Sequence, residues 1–157
     1  MLKILRASVL ATMAMVFCFS VKAQTSAHPL SAPGADVPWT QKQLIEPATL
    51  ATELKSSTAG LPVIFNIGAV EDIKGAKHIG PVNKTENLEK LKEEVKTLPK
   101  NRAIVIYCGC CPFAKCPNIR PAFVELNKLG YTHVMVLDLP VNLKTNWIAN
   151  NYPLAEK

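Results

Sequence analysis

The sequence predicts an α/β fold, with an open parallel sheet flanked by helices on both faces. Short continuous apolar runs occur at residues 61–68, 103–107 and 132–137. Such runs mark strands buried on both faces. Between them lie stretches of helical period with charged outer positions, at about residues 86–98 and 119–129. Strands that alternate with helices pack as a parallel sheet joined by right-handed crossovers.

Each element has its own signal. Trp39 opens the ordered part. Pro47, Leu50 and Leu54 suggest a short amphipathic helix that begins near a proline and ends before Gly60. Residues 61–68 form the first clear strand. Residues 69–80 connect it onward, with Ile79 and Val82 expected in a second short strand. Leu88, Leu91, Val95 and Leu98 form one helix face, and Pro99 stops that helix. Residues 103–107 are the next strand. In the helix at 119–129, Phe123, Leu126 and Leu129 point inward, Asn118 is the expected N-cap and Pro121 fits the first turn. Gly130 closes it as the residue past the C-cap. A last helix is expected around residues 144–150, with Trp147 turned into the core.

The chain has 157 residues, enough for one domain and hardly for two. Apolar residues make up 48% of it, so a core can form. The first residues read as a targeting signal. Lys3 and Arg6 precede an uncharged apolar run at residues 7–21, and Val21-Lys22-Ala23 offers small residues where a signal peptidase cuts. We therefore expect a signal peptide at 1–23, a flexible leader at 24–38 and one domain at 39–157. Cleavage after Ala23 would deliver the protein to the periplasm or the exterior. The apolar run is short for a spanning helix, so the membrane is met only through the signal peptide. Cys18 falls within that run and has no lipobox before it. Loss of Lys3, Arg6 and Lys22 lowers the formal charge from +6 to +3. No basic stripe with interleaved aromatics argues for a nucleic-acid partner.

The remaining cysteines, Cys108, Cys110, Cys111 and Cys116, share one segment. They are too close in sequence to staple distant parts of a fold. Their segment, Tyr107-Cys108-Gly109-Cys110-Cys111-Pro112-Phe113-Ala114-Lys115-Cys116-Pro117-Asn118, links a strand to a helix. In parallel sheets the functional loops lie beyond the carboxyl ends of the strands, where Cys108 falls. Converging backbone N–H groups and the helix N-terminus are expected to lower its pKa and make it nucleophilic. Lys115 and Arg120 can add positive charge for an anionic donor or remain plain surface cations. Phe113 can line a substrate mouth or pack the loop. No nucleophile-elbow serine and no phosphate-binding glycine loop occurs. His28, His78 and His133 read as incidental or structural.

The order of elements, the strand ending Ile106-Tyr107-Cys108 and the closing Trp147…Tyr152-Pro153 resemble a single-domain rhodanese. The likeness runs from about Trp39 to Lys157. The Cys-Gly-Cys-Cys-Pro-Phe and Cys-Pro-Asn segments resemble a bacterial subgroup with an enlarged active loop. The resemblance implies an open sheet of about five parallel strands and a persulfide carried on Cys108. It also implies small sulfur donors and thiol acceptors as partners, and no organic cofactor. Two family motifs are altered: Asn66-Ile67-Gly68 stands at the Asp-Val-Arg position, and Glu71-Asp72-Ile73-Lys74-Gly75-Ala76 at the Gly-His-Ile-Pro-Gly-Ala position.

Three uses of the cysteines follow. Cys108 can transfer sulfur within its loop, residues Gly109 to Cys116. Cys110, Cys111 or Cys116 can resolve a Cys108 adduct in a thiol–disulfide or persulfide relay, with a redox protein keeping the thiols reduced, or Cys111 and Cys116 can instead pin the loop as a structural disulfide. Alternatively, Cys108, Cys110, Cys111 and Cys116 can hold Zn²⁺ or Cu(I), although their spacing differs from the usual paired zinc motif.

Overall fold

The structure is a computed structural model that describes residues 37–56 and 60–156. The expected signal peptide and the leader up to residue 36 lie outside the described residues. Among the described residues no helix is long and apolar enough to cross a membrane.

Five parallel strands form one sheet. They are β1 (Leu44–Ile45), β2 (Val63–Asn66), β3 (Ala76–His78), β4 (Ile104–Tyr107) and β5 (Val134–Leu137). The helices are α1 (Pro47–Ser56), α2 (Thr85–Val95), α3 (Ile119–Lys128) and α4 (Leu143–Asn146), with 3-10 turns at Gln41–Gln43, Phe113–Lys115 and Ile148–Asn150. The strand order is β1-β5-β4-β2-β3. The α/β class and the parallel sheet are as expected.

The apolar runs are continuous because both faces are covered. On β4, Ile104 and Ile106 join the core under α2 and α3, with Leu91, Val95, Phe123 and Leu126. Val105 and Tyr107 point the other way, to a core with Leu50 and Leu54 of α1, Leu143 of α4 and Trp147. Alternate residues along a strand face opposite sides, so a strand in the middle of two layers has no polar side to show. Trp147 is fully buried as expected, and its indole N–H donates to the Pro153 carbonyl at 3.1 Å. Val37 packs against the first core, so the end of the leader touches the domain.

Several boundaries differ from the sequence reading, each for a physical reason. The second short strand is Ala76–His78, not Ile79 and Val82. Ile79 and Val82 are buried in the core, and the amides of Ile79 and Gly80 both turn to the Asn66 carbonyl, which ends the ladder. Their apolarity reported burial, whereas β3 is an edge strand with exposed Lys77 and His78. The edge strand β1 has only two residues and left no pattern to read. Helix α2 ends at Val95, and Leu98 folds back through its amide to the Val95 carbonyl. The final expected helix is a short α4 followed by a 3-10 turn, with the Asn142 side chain capping α4 at the Thr145 amide.

Candidate functional site

The carboxyl ends of β2 and β4 lie side by side, with Asn66 opposite Tyr107. From β2 the chain leaves toward β3, and from β4 it leaves toward β5, on opposite sides. A sheet of this type opens a crevice where successive connections diverge, and ligands settle there. Cys108 follows β4 and Gly68 closely follows β2, so both stand at this divergence.

Gly68 and Cys108 pack backbone against backbone. A Cβ at Gly68 would lie 2.3 Å from the Cys108 carbonyl oxygen and 2.8 Å from its Sγ. The Gly68 amide is held by Asn66 Oδ1 at 3.0 Å. Asn66 is completely buried and donates from Nδ2 to the Val70 carbonyl and to Asp72 Oδ1, each at 2.8 Å. One buried side chain thereby shapes the whole loop that faces Cys108. The Tyr107 hydroxyl fastens the far side of this loop: it accepts from the Ile73 amide at 3.0 Å and donates to the Glu71 carbonyl at 3.1 Å. Burial, together with the charge of Asp72 and Glu71, pushes the Tyr107 phenol above its ordinary pKa.

The cysteine loop folds back on itself. Gly109 takes a positive φ of 77°, which suits a residue without Cβ, and its carbonyl accepts from the Leu143 amide at 2.9 Å. The turn brings Cys110 Sγ to 3.2 Å from Cys108 Sγ. Phe113 is buried, 6.0 Å from Trp39 between ring centres, and so packs the loop instead of lining a mouth. This anchor and the 3-10 turn after it return Cys116 to the interior. Cys108, Cys110 and Cys116 present sulfurs all within 4.8 Å of one another. Cys111 stands outside this trio: it meets the exposed Cys110 at 3.5 Å and also interacts with the Cys116 thiol, and all four thiols are free, so no Cys111–Cys116 disulfide pins the loop. Pro112 and Lys115 are exposed, Ala114 packs partly against the core, and Arg120 is exposed on α3.

The electrostatics overturn one expectation. Cys108 was expected to have a lowered pKa, but the Cys116 thiol beside it and its own burial hold it well above the ordinary thiol range. The Asn118 side chain and the Cys110 amide oppose this shift without cancelling it. Cys110 and Cys111 are also raised, chiefly by burial and then by a neighbouring thiol. Helix α3 begins only at Ile119, past the whole loop.

Asn118 corrects a second expectation. It precedes α3 but its side chain does not cap the helix. Instead Nδ2 donates to Cys108 Sγ at 3.2 Å and Oδ1 accepts from the Asn83 amide at 2.9 Å. An asparagine before a helix has the composition of a cap, and only its orientation shows the other use. Gly68 and Asn66 were also missed as site residues. A glycine at the end of a buried strand was the available signal, because it marks close backbone approach. His78 Nδ1 pairs with Asp72 Oδ1 at 3.0 Å at the rim, and His133 is exposed, giving its carbonyl to the Ile104 amide.

Among known proteins, the chain matches no family model and no curated protein. Chemically, the cluster suits thiol redox chemistry or the binding of a thiophilic metal.

Proposed function

We propose that this protein is an exported sulfurtransferase of rhodanese type, in which Cys108 carries sulfane sulfur. The observation that supports this most directly is the place of Cys108, at the divergence of the β2 and β4 connections with its sulfur against Gly68. The Cys108 thiolate attacks the outer sulfur of a donor such as thiosulfate. A new S–S bond forms on Cys108 and sulfite leaves with the electron pair of the broken S–S bond. An acceptor thiolate then attacks the terminal sulfur, takes it as its own persulfide and restores the Cys108 thiolate. No external oxidant or reductant enters this cycle. Asn118 Nδ2 and the Cys110 amide face the charged sulfur and stabilise it.

The 3.2 Å contact between Cys108 and Cys110 supports a second fate for the persulfide. Cys110 can attack the Cys108 sulfur, form a Cys108–Cys110 disulfide and expel hydrosulfide. This relay then needs a dithiol partner to reduce the disulfide.

Intact mass separates the two. The reduced chain is offered thiosulfate or a persulfide donor and weighed with and without reductant. Sulfur transfer predicts a reductant-sensitive gain of one sulfur that vanishes in Cys108→Ser and persists in Cys116→Ser. The relay predicts a loss of two hydrogens after sulfide release. Sulfur loading that survives Cys108→Ser disproves the proposal. The export part is checked by the N-terminus of the processed protein, expected at Gln24.

A further inference from the structure

We propose that Cys108, Cys110 and Cys116 also form a three-sulfur binding site for Cu(I). This does not depend on sulfur transfer. The argument starts from spacing. The three sulfurs lie within 4.8 Å of one another, and those of Cys108 and Cys110 are 3.2 Å apart. A metal held about 2.3 Å from each thiolate spaces its sulfurs about 4 Å apart in a trigonal plane. The trio therefore brackets the required separation, and closing on an ion takes small side-chain shifts with no rearrangement of the sheet.

Ligand number selects the ion. Structural zinc sites are closed by four ligands. Here Cys111 stands outside the trio, and among the described residues no histidine or carboxylate joins it. Cys108 and Cys116 are 1% and 5% exposed, so two of the three ligands are withdrawn from the water that would complete a zinc site. Soft thiolates and low coordination suit Cu(I).

The surroundings support the same role. Cys110 is the exposed member and offers the first ligand to an arriving ion, which then passes inward to the two buried sulfurs. Asn118 Nδ2 already donates to Cys108 Sγ and, like an outer-sphere partner, fixes that ligand and shares its negative charge. Gly68 also packs against Cys108, where an added Cβ would stand 2.8 Å from its Sγ. Copper enters and stays as Cu(I), so no electron is transferred, and each thiol that binds as a thiolate gives its proton to solvent.

The test is an anaerobic titration of the reduced full chain with Cu(I) buffered by bicinchoninate, followed by X-ray absorption at the copper edge. We expect one copper per chain and three sulfur neighbours. Cys110→Ser should weaken binding by at least about 10-fold, the loss that removal of even an outer-sphere partner causes. Cys110 is exposed, so near-UV circular dichroism should show that this variant remains folded. Cys111→Ser should bind as the parent does. Failure to draw copper from bicinchoninate overturns the proposal, as does an equal loss in Cys111→Ser or a four-sulfur zinc site that excess Cu(I) does not displace. Sulfur loading, weighed without copper, fails or succeeds separately.

Discussion

The backbone of Gly68 touches Cys108 so closely that no side chain fits between them: an added Cβ would stand 2.3 Å from the Cys108 carbonyl oxygen. Gly68 does not have a positive φ. Alanine there would ordinarily stabilise by about 0.4–1 kcal/mol through the unfolded state. Forcing a methyl group into a packed site costs about 1–3 kcal/mol, and this term wins. Gly68→Ala is therefore expected to lower stability in urea denaturation and to slow sulfur loading on Cys108. A variant as stable as the parent would mean that the loop gives way freely.

Asn118 divides its amide between two partners, and Asn118→Asp separates them. The aspartate can still accept from the Asn83 amide, but it loses the donor to Cys108 and sets a negative charge beside the sulfur. Loading at pH 8 should fall more steeply than stability. Asn118→Ala removes both bonds and should cost about 1–3 kcal/mol in addition. Equal loading rates in the parent and Asn118→Asp would remove Asn118 from the site.

The raised Cys108 thiol sets a pH dependence. With its folded pKa above the ordinary value, little thiolate is present at neutral pH, so the loading rate should climb from pH 7 to 10 without a plateau. Stability carries the opposite consequence. Above about pH 8.5 the unfolded thiol loses its proton while the folded thiol keeps it. The unfolded state then binds fewer protons, and stability falls as pH rises. Cys110 and Cys111 add to this fall, and Tyr107 joins at higher pH. Denaturation series from pH 7 to 10 should show the decline, reduced in Cys108→Ala; a flat profile contradicts the shift.

Tyr107→Phe leaves the buried Ile73 amide without its acceptor. The expected cost is about 1–3 kcal/mol. Cys108 and Cys116 pack in the core on the other face of β4, so sulfur loading per folded molecule should remain close to that of the parent. Hydrogen exchange should show the loss as faster opening of residues 71–73.

The central strands and the long helices were legible in the sequence because their signals are local. Ile104 to Tyr107 reads as a buried strand since both of its faces are covered, and Phe123 and Leu126 recur at the helical period. The edges were not legible. Leu44–Ile45 is too short to show a period, and Ala76–His78 is half solvated and carries no apolar run. Ile79 and Val82 were misplaced because hydrophobicity reports burial without saying whether the backbone pairs.

For the site, the sequence by itself determined that Cys108 ends a buried strand and that its loop carries three more cysteines. Only the tertiary structure decided which sulfurs meet. Cys110 and Cys116 reach Cys108 because Gly109 turns the chain and Phe113 anchors it on Trp39, while Cys111 stays outside that group of three. The direction of the Cys108 pKa shift was decided there too. A strand-end position suggests a stabilised thiolate, but the protonation state answers to what surrounds the sulfur, and Cys116 and burial outweigh the donors from Asn118 and Cys110. Those neighbours come from separate stretches of chain, and their distances exist only once the sheet and loop have folded.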